Sequence, residues 1–181
     1  MPTLIIVAGI IGLNLLMLLW ATSRYKRCPA DRILVIYGKV EGQETFRCQH
    51  GGGAFVWPVI QDYAYLDLTP STIELDVRYA TTKDGLELEG KAEFVVAIST
   101  EKGLMENAAT RLLAVDRAGA SLLAKRILGN KLRNEIASTT SDVFQANRLT
   151  FNKAMAEVLN QALATLGMAL IDSDLHGLKQ R

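Results

Sequence analysis

The string best equipped for chemistry is His50-Gly51-Gly52-Gly53. It imitates the glycine-rich motif whose backbone N–H groups hold a tetrahedral oxyanion in lipases and esterases. That chemistry also needs a nucleophile on a Gly-x-Ser-x-Gly elbow and an imidazole base. No such elbow occurs. Ser121 sits in Gly119-Ala120-Ser121-Leu122-Leu123, inside a stretch of helical period, and the only histidines are His50 and His176. A Ser-His-Asp arrangement therefore has little support, and the glycines read as a turn between strands that permits positive φ. Glu87 and Glu89 stand two apart on one strand face beside Lys91, which reads as a solvated or interface surface rather than an acid/base pair or cation site. His176 reads as an exposed residue. Cys28 and Cys48 form no Cys-x-x-Cys pair and no Cys/His cluster, so no zinc site is expected. Two cysteines make one bond at most, not a disulfide scaffold. No residue is assigned to catalysis, to a cofactor or to a metal, and no small-molecule substrate is expected.

The formal charge of +1 over 181 residues excludes the broad basic surface that phosphate contacts require, so nucleic acid is not an expected partner. The length suits one domain plus an anchor. That anchor is the run from Thr3 to Ala21, which carries no charged side chain. About twenty helical residues cross a ~30 Å hydrocarbon layer, so residues 3–21 are expected to span a bilayer as a helix. A buried core helix would seldom be apolar on every face. A cleaved signal peptide would want a basic start, and Met1-Pro2-Thr3 offers none. Asn14 is the one strongly polar residue, which a helix or a neighbouring span can accommodate.

Trp20 and Tyr25 fall where an interfacial aromatic belt belongs, and Arg24, Lys26 and Arg27 follow at once. By the positive-inside rule the domain is expected on the cytoplasmic side of a single-pass protein. Cys28 lies close enough to the anchor for S-acylation to add a second hold, although a small inert cysteine is the plainer reading. Ala54-Phe55-Val56-Trp57-Pro58-Val59-Ile60 is a continuous apolar run beside the glycine turn. Two readings stand: a core strand, or a loop whose Phe55, Val56 and Trp57 dip into the bilayer interface.

Residues 30–100 are written in period two. Ile33, Val35 and Tyr37 open a strand ending at Gly38. Ile73, Leu75, Val77 and Tyr79 alternate with Thr72, Glu74, Asp76 and Arg78. Lys83-Asp84-Gly85 is a turn, after which Leu86, Leu88, Gly90, Ala92, Phe94, Val96 and Ile98 line one face of a second long strand. Together they predict an antiparallel hairpin. Beyond Thr100 the period becomes helical. Leu123, Ile127, Leu128, Leu132 and Ile136 form one stripe; Phe151, Met155, Val158, Leu159, Ala162 and Leu166 form another. Ser138 to Asp142 supply cap chemistry between them, Gly167 caps the second helix, and Met168–Ile171 closes as a short strand. The fold class is therefore α+β: an N-terminal transmembrane helix, an antiparallel sheet, helices and a closing strand over 28–181. No parallel βαβ rhythm occurs, which disfavours a dinucleotide fold.

The ordered features resemble the SPFH (band 7, prohibitin-homology) domain of flotillin type. The resemblance rests on the anchor, Cys28-Pro29-Ala30-Asp31-Arg32-Ile33-Leu34-Val35-Ile36-Tyr37-Gly38, Gly51 through Pro58, Leu66-Asp67-Leu68, Thr81 through Leu86, Gly90 through Phe94 and Leu166 through Ile171. It implies a non-enzymatic membrane scaffold that self-associates at the lipid bilayer as a homo-oligomer and organises microdomains. It also implies a small NfeD-type membrane partner. The alternative it leaves is an accessory subunit regulating a membrane protease or channel. Flotillins carry a long Ala/Glu-rich coiled coil after this domain. No heptads occur up to Arg181, so small, salt-sensitive oligomers are expected rather than a large ring.

Overall fold

The computed structural model describes residues 2–39, 45–140, 148–175 and 179–180. Ser141 and Asp142 of the expected cap, and His176, lie outside them. The chain divides into two compact units, Met1–Tyr65 and Leu66–Arg181.

The first unit begins with α1 (Pro2–Arg24), of which Ile6–Arg24 is long and apolar enough to cross a membrane and is not buried inside the protein. At 1.5 Å per residue α1 extends about 35 Å. Asn14 stays within it, its Nδ2 donating to the Ile10 carbonyl at 2.8 Å, so the amide is satisfied without a partner helix. The chain passes straight from α1 into β1 (Tyr25–Arg27), which pairs antiparallel with β4 (Gly53–Phe55). β2 (Arg32–Gly38) is the centre of a second sheet, between β3 (Phe46–His50) and β5 (Gln61–Asp67). Ile33, Leu34, Val35 and Ile36 are all buried, so β2 is covered on both faces. The strict alternation expected of it is absent for that reason.

In the second unit β6 (Ser71–Thr81) and β7 (Glu87–Ile98) form the expected hairpin, and β7 also pairs antiparallel with β8 (Met168–Asp174) and β9 (Lys179–Gln180). Ile73, Leu75, Val77, Leu88, Ala92, Phe94 and Val96 are buried, while Glu74, Asp76, Glu89, Lys91 and Glu93 are exposed. Tyr79 departs from the expected alternation. A register shift between Val77 and Ala80, with Tyr79 at φ 57°, turns its ring outward and puts Ala80 inside. One inserted residue reverses the side that each later residue faces.

Among the described residues, the helices that follow are α2 (Leu104–Leu112), α3 (Arg117–Ser138) and α4 (Arg148–Ala164). The Asp116 carboxylate caps α3 by accepting from the Gly119 N–H at 3.0 Å. α3 packs on β6 and α4 on β8. The buried positions of α3 are Ala124, Leu128, Leu132 and Ile136, with Leu123 and Ile127 only half-buried at the margin. The stripe is thus centred one residue later than its bulkiest side chains suggest. Gly167 ends α4 at φ 77°, and a Cβ there would stand 2.3 Å from the Leu104 carbonyl oxygen and the Ala108 nitrogen of α2. Only glycine lets α2 and the turn approach so closely.

Candidate membrane-contact site

The site is built where α1 ends. A helix leaves its last carbonyls without intrahelical donors, and here the Val56 N–H donates to the Arg24 carbonyl at 3.1 Å. The β1–β4 ladder sets Tyr25 opposite Phe55, Lys26 opposite Ala54 and Arg27 opposite Gly53. The Cys28 N–H donates to the Gly52 carbonyl at 2.9 Å. These bonds place the apolar segment level with the helix terminus. The glycine string makes the approach feasible: Gly51 and Gly52 turn at φ 78° and 71°, and a Cβ on Gly53 would come within 2.8 Å of the Lys26 carbonyl oxygen.

Beyond Phe55 the chain closes a short loop. The Trp57 N–H donates to the Gln61 side-chain carbonyl at 3.0 Å, the Gln61 N–H returns to the Trp57 carbonyl at 3.0 Å, and Gln61 Nε2 donates to the Lys39 carbonyl at 2.9 Å. Val59 crowns it at φ 78° and is fully exposed. A β-branched residue in the left-handed region costs free energy, and here that conformation presents an isopropyl group outward. Phe55, Trp57, Ile60, Tyr25 and Trp20 are exposed as well, and the Phe55 and Trp57 rings meet edge to face at 5.3 Å. The Arg24 guanidinium lies over Trp20 at 5.8 Å and the Lys26 ammonium over Tyr63 at 5.0 Å. Exposed rings and aliphatic groups beside cations at the end of an apolar helix have the composition of a bilayer interface. Below the loop, the Tyr37 hydroxyl donates to Asp62 Oδ2 at 3.2 Å. Partial burial, then the bond to Asp62 and its charge, hold that hydroxyl above the usual tyrosine range.

The SPFH domain / Band 7 family model matches residues 26–177. The chain belongs to that family. It is similar to the flotillin-like protein FloT of Bacillus subtilis (strain 168), with 22% identity over 190 aligned residues covering 100% of this chain and 37% of that protein. It is also similar to flotillin-1 of Drosophila melanogaster, with 27% identity over 131 residues, 71% of this chain and 30% of that protein. The chain spans about a third of the length of these curated relatives.

Within this SPFH chain the residues singled out from the sequence separate by burial. Tyr25, Phe55 and Trp57 come together as exposed side chains, through the Tyr25–Phe55 register and the Phe55–Trp57 ring contact, and Trp20 is exposed near the end of α1. Val56 does not join them. It is 6% exposed and packs with Cys28, Leu34 and Ile36, so it faces the unit's core rather than a bilayer. The apolar run therefore divides by direction: Val56 packs inward as a core strand residue would, while Phe55 and Trp57, its neighbours in one extended segment, face out. Cys28 is buried too, and its thiol lies 3.2 Å from the Arg32 carbonyl and 3.3 Å from the Gln49 carbonyl. Acylation would require that the thiol leave this pocket. His50 is exposed and its Nε2 donates to the Ala30 carbonyl at 3.1 Å, as a turn residue would. The tip residues Val59 and Ile60 were not singled out from the sequence. Their signal was present, since they extend the same apolar run past Pro58, but which side of the turn they would face was not.

Proposed function

We propose that this chain is a membrane-anchored, flotillin-like scaffold that works by assembly rather than catalysis. α1 spans the bilayer, the loop tip of Phe55, Trp57, Val59 and Ile60 dips into the adjoining interface, and copies self-associate there to organise lipid and protein into microdomains. The observation that carries this reading is the exposed apolar loop hydrogen-bonded to the end of an apolar helix. In water such a cluster is a liability; at a bilayer surface each fully buried large side chain contributes roughly 1.5–3 kcal/mol. Arg24, Lys26 and Arg27 favour the cytoplasmic side for the domain. The family resemblance also supports a small NfeD-type membrane partner.

The loop is best tested in the full chain, because removing α1 with β1 would strip β4 of its only ladder partner among the described residues. In a Trp20→Phe background, Trp57 is the sole tryptophan. Reconstituted in vesicles, its emission should be quenched by lipids brominated near the headgroup and shielded from aqueous iodide. Iodide quenching equal to that of free tryptophan would refute the loop contact. For orientation, a Lys179→Cys variant should resist an impermeant thiol reagent in intact cells and react once they are opened.

A further inference from the structure

In the second unit, α3 packs on β6, so the far side of the sheet and the far side of the helix point in opposite directions. The two surfaces carry opposite charge. On the sheet, Glu74 is in register with Glu93, and Glu93 with Asp174. All three are exposed, and like charges directly opposite on one face oppose strand pairing. Asp76 and Glu89 extend the acidic face; its cations are Lys91, in register with Asp76, and Arg78, engaged with Asp76 at 3.8 Å, so the acidic groups outnumber them. Neither Glu74 nor Glu93 has an ion pair among the described residues. On α3 the balance is reversed. Glu135 is taken by Lys131 at 3.0 Å, which leaves Lys125, Arg126 and Arg133 exposed and without an ion pair among the described residues.

Each surface also has an exposed apolar side chain. Leu122, 61% exposed, lies one turn before Arg126 on the same stripe; Tyr79, 66% exposed, is turned out by the bulge in β6. The dimensions agree. Leu122 to Arg133 spans about 16 Å of helix, and Glu89 to Glu93 spans about 14 Å of strand.

We infer that the acidic outer face of β6–β7 receives the Leu122–Arg126–Arg133 stripe of α3 from a second copy of this chain. The contact deepens the self-association proposed above and rests on it. Because the two patches differ, it is heterologous: each copy offers a sheet face forward and a helix face behind, which yields a ring if the rotation closes and a filament if it does not.

The test uses full chains in vesicles. Self-association is first read by energy transfer between two dye-labelled pools. Glu74→Lys with Glu93→Lys makes both faces basic, and Arg126→Glu with Arg133→Glu makes both acidic. Like charges across an interface disfavour association strongly, so each variant alone should lose transfer by at least about tenfold. Mixed together, the two variants should regain it, because every contact between unlike copies is again complementary. A misfolded variant could not be rescued in this way. A second measurement mixes a Glu93→Cys pool with an Arg126→Cys pool, both with Cys48→Ala, and expects a mixed disulfide dimer that neither pool forms alone. Wild-type transfer that survives both reversals, with no mixed dimer, would overturn this pairing of faces while leaving assembly intact. Reversals that abolish transfer without rescue on mixing would assign the charged faces to another partner and overturn it as well. No transfer between wild-type copies would remove the assembly reading itself.

Discussion

The unit Leu66–Arg181 keeps its apolar side chains inside. Phe94, Leu88, Leu112, Leu128, Leu132, Ile136, Leu159 and Leu163 are fully buried, and among the described residues only Tyr79, Leu122 and Ile171 are large hydrophobics left exposed. The unit Met1–Tyr65 does the reverse. Its compact cluster is small, built on Cys28, Leu34, Ile36 and Val56, while Val59, Ile60, Phe55, Trp57, Tyr25 and most of α1 are turned outward. One principle acts on both, since apolar surface leaves water wherever it can. The second unit satisfies it with its own chain. The first leaves its apolar groups on the outside, the arrangement that the proposed bilayer contact would use.

The largest effect that would test this contrast lies in the second unit. Phe94→Ala should destabilise the chain by about 3–5 kcal/mol, read as a lower denaturant midpoint in detergent. Trp57→Ser, a loss of more atoms, should move the same midpoint by no more than about 1 kcal/mol, because its ring is exposed. Equal losses at the two positions would break the comparison. Within the first unit, Val56→Ala should cost about 2 kcal/mol and raise amide exchange at Leu34 and Ile36, whereas Phe55→Ala should leave those amides protected.

A smaller effect sharpens the contrast by its sign. Val59→Gly relieves the left-handed strain and should stabilise the fold by about 1 kcal/mol. In the same variant Trp57 should become more open to aqueous iodide, since the tip has lost its apolar group. A variant that lost both stability and lipid contact would show that Val59 supports the fold instead. The smallest effect is the titration of Tyr37. Its hydroxyl is raised by partial burial first and by Asp62 second. A group whose folded pKa is raised contributes stability that is complete below its unfolded value and is lost as pH rises through the folded one. The Tyr37 contribution should therefore persist up to about pH 10 and fade above it. The phenolate absorbance missing from Tyr37→Phe should appear above that value in the native chain. Asp62→Asn should lower the transition only part of the way, because burial remains.

Much of the fold was legible from residue order. The hairpin of β6 and β7, the helical stripes ending at Gly167 and the closing strand all carry periodicities that packing then uses. Elements with weaker periodicity were not read. α2 is a short helix with Ala108, Ala109 and Leu112 as its buried face, a pattern too slight to separate from a loop. The bulge at Tyr79 was hidden for another reason: an inserted residue leaves the alternation of residue types unchanged and alters only which side they face. The site was half legible. Trp20, Tyr25, Phe55 and Trp57 were identifiable as aromatic residues near an anchor, but Val56 shares their apolarity and faces inward.

The sequence by itself determined composition along the chain: a charge-free run long enough for a bilayer, cations at its end, a glycine string and an apolar segment after it. These depend on neighbours in the chain, whose spacing is fixed covalently. Direction was decided by tertiary structure alone. Whether Val56 or Val59 faces outward depends on the bond from Val56 to Arg24, on the β1–β4 register and on Gln61, which closes the local turn to Trp57 and ties it to Lys39, contacts that mostly join residues distant in sequence. The opposed charged faces of the second unit have the same origin, since only the packing of α3 on β6 sets the acidic strands and the basic stripe back to back.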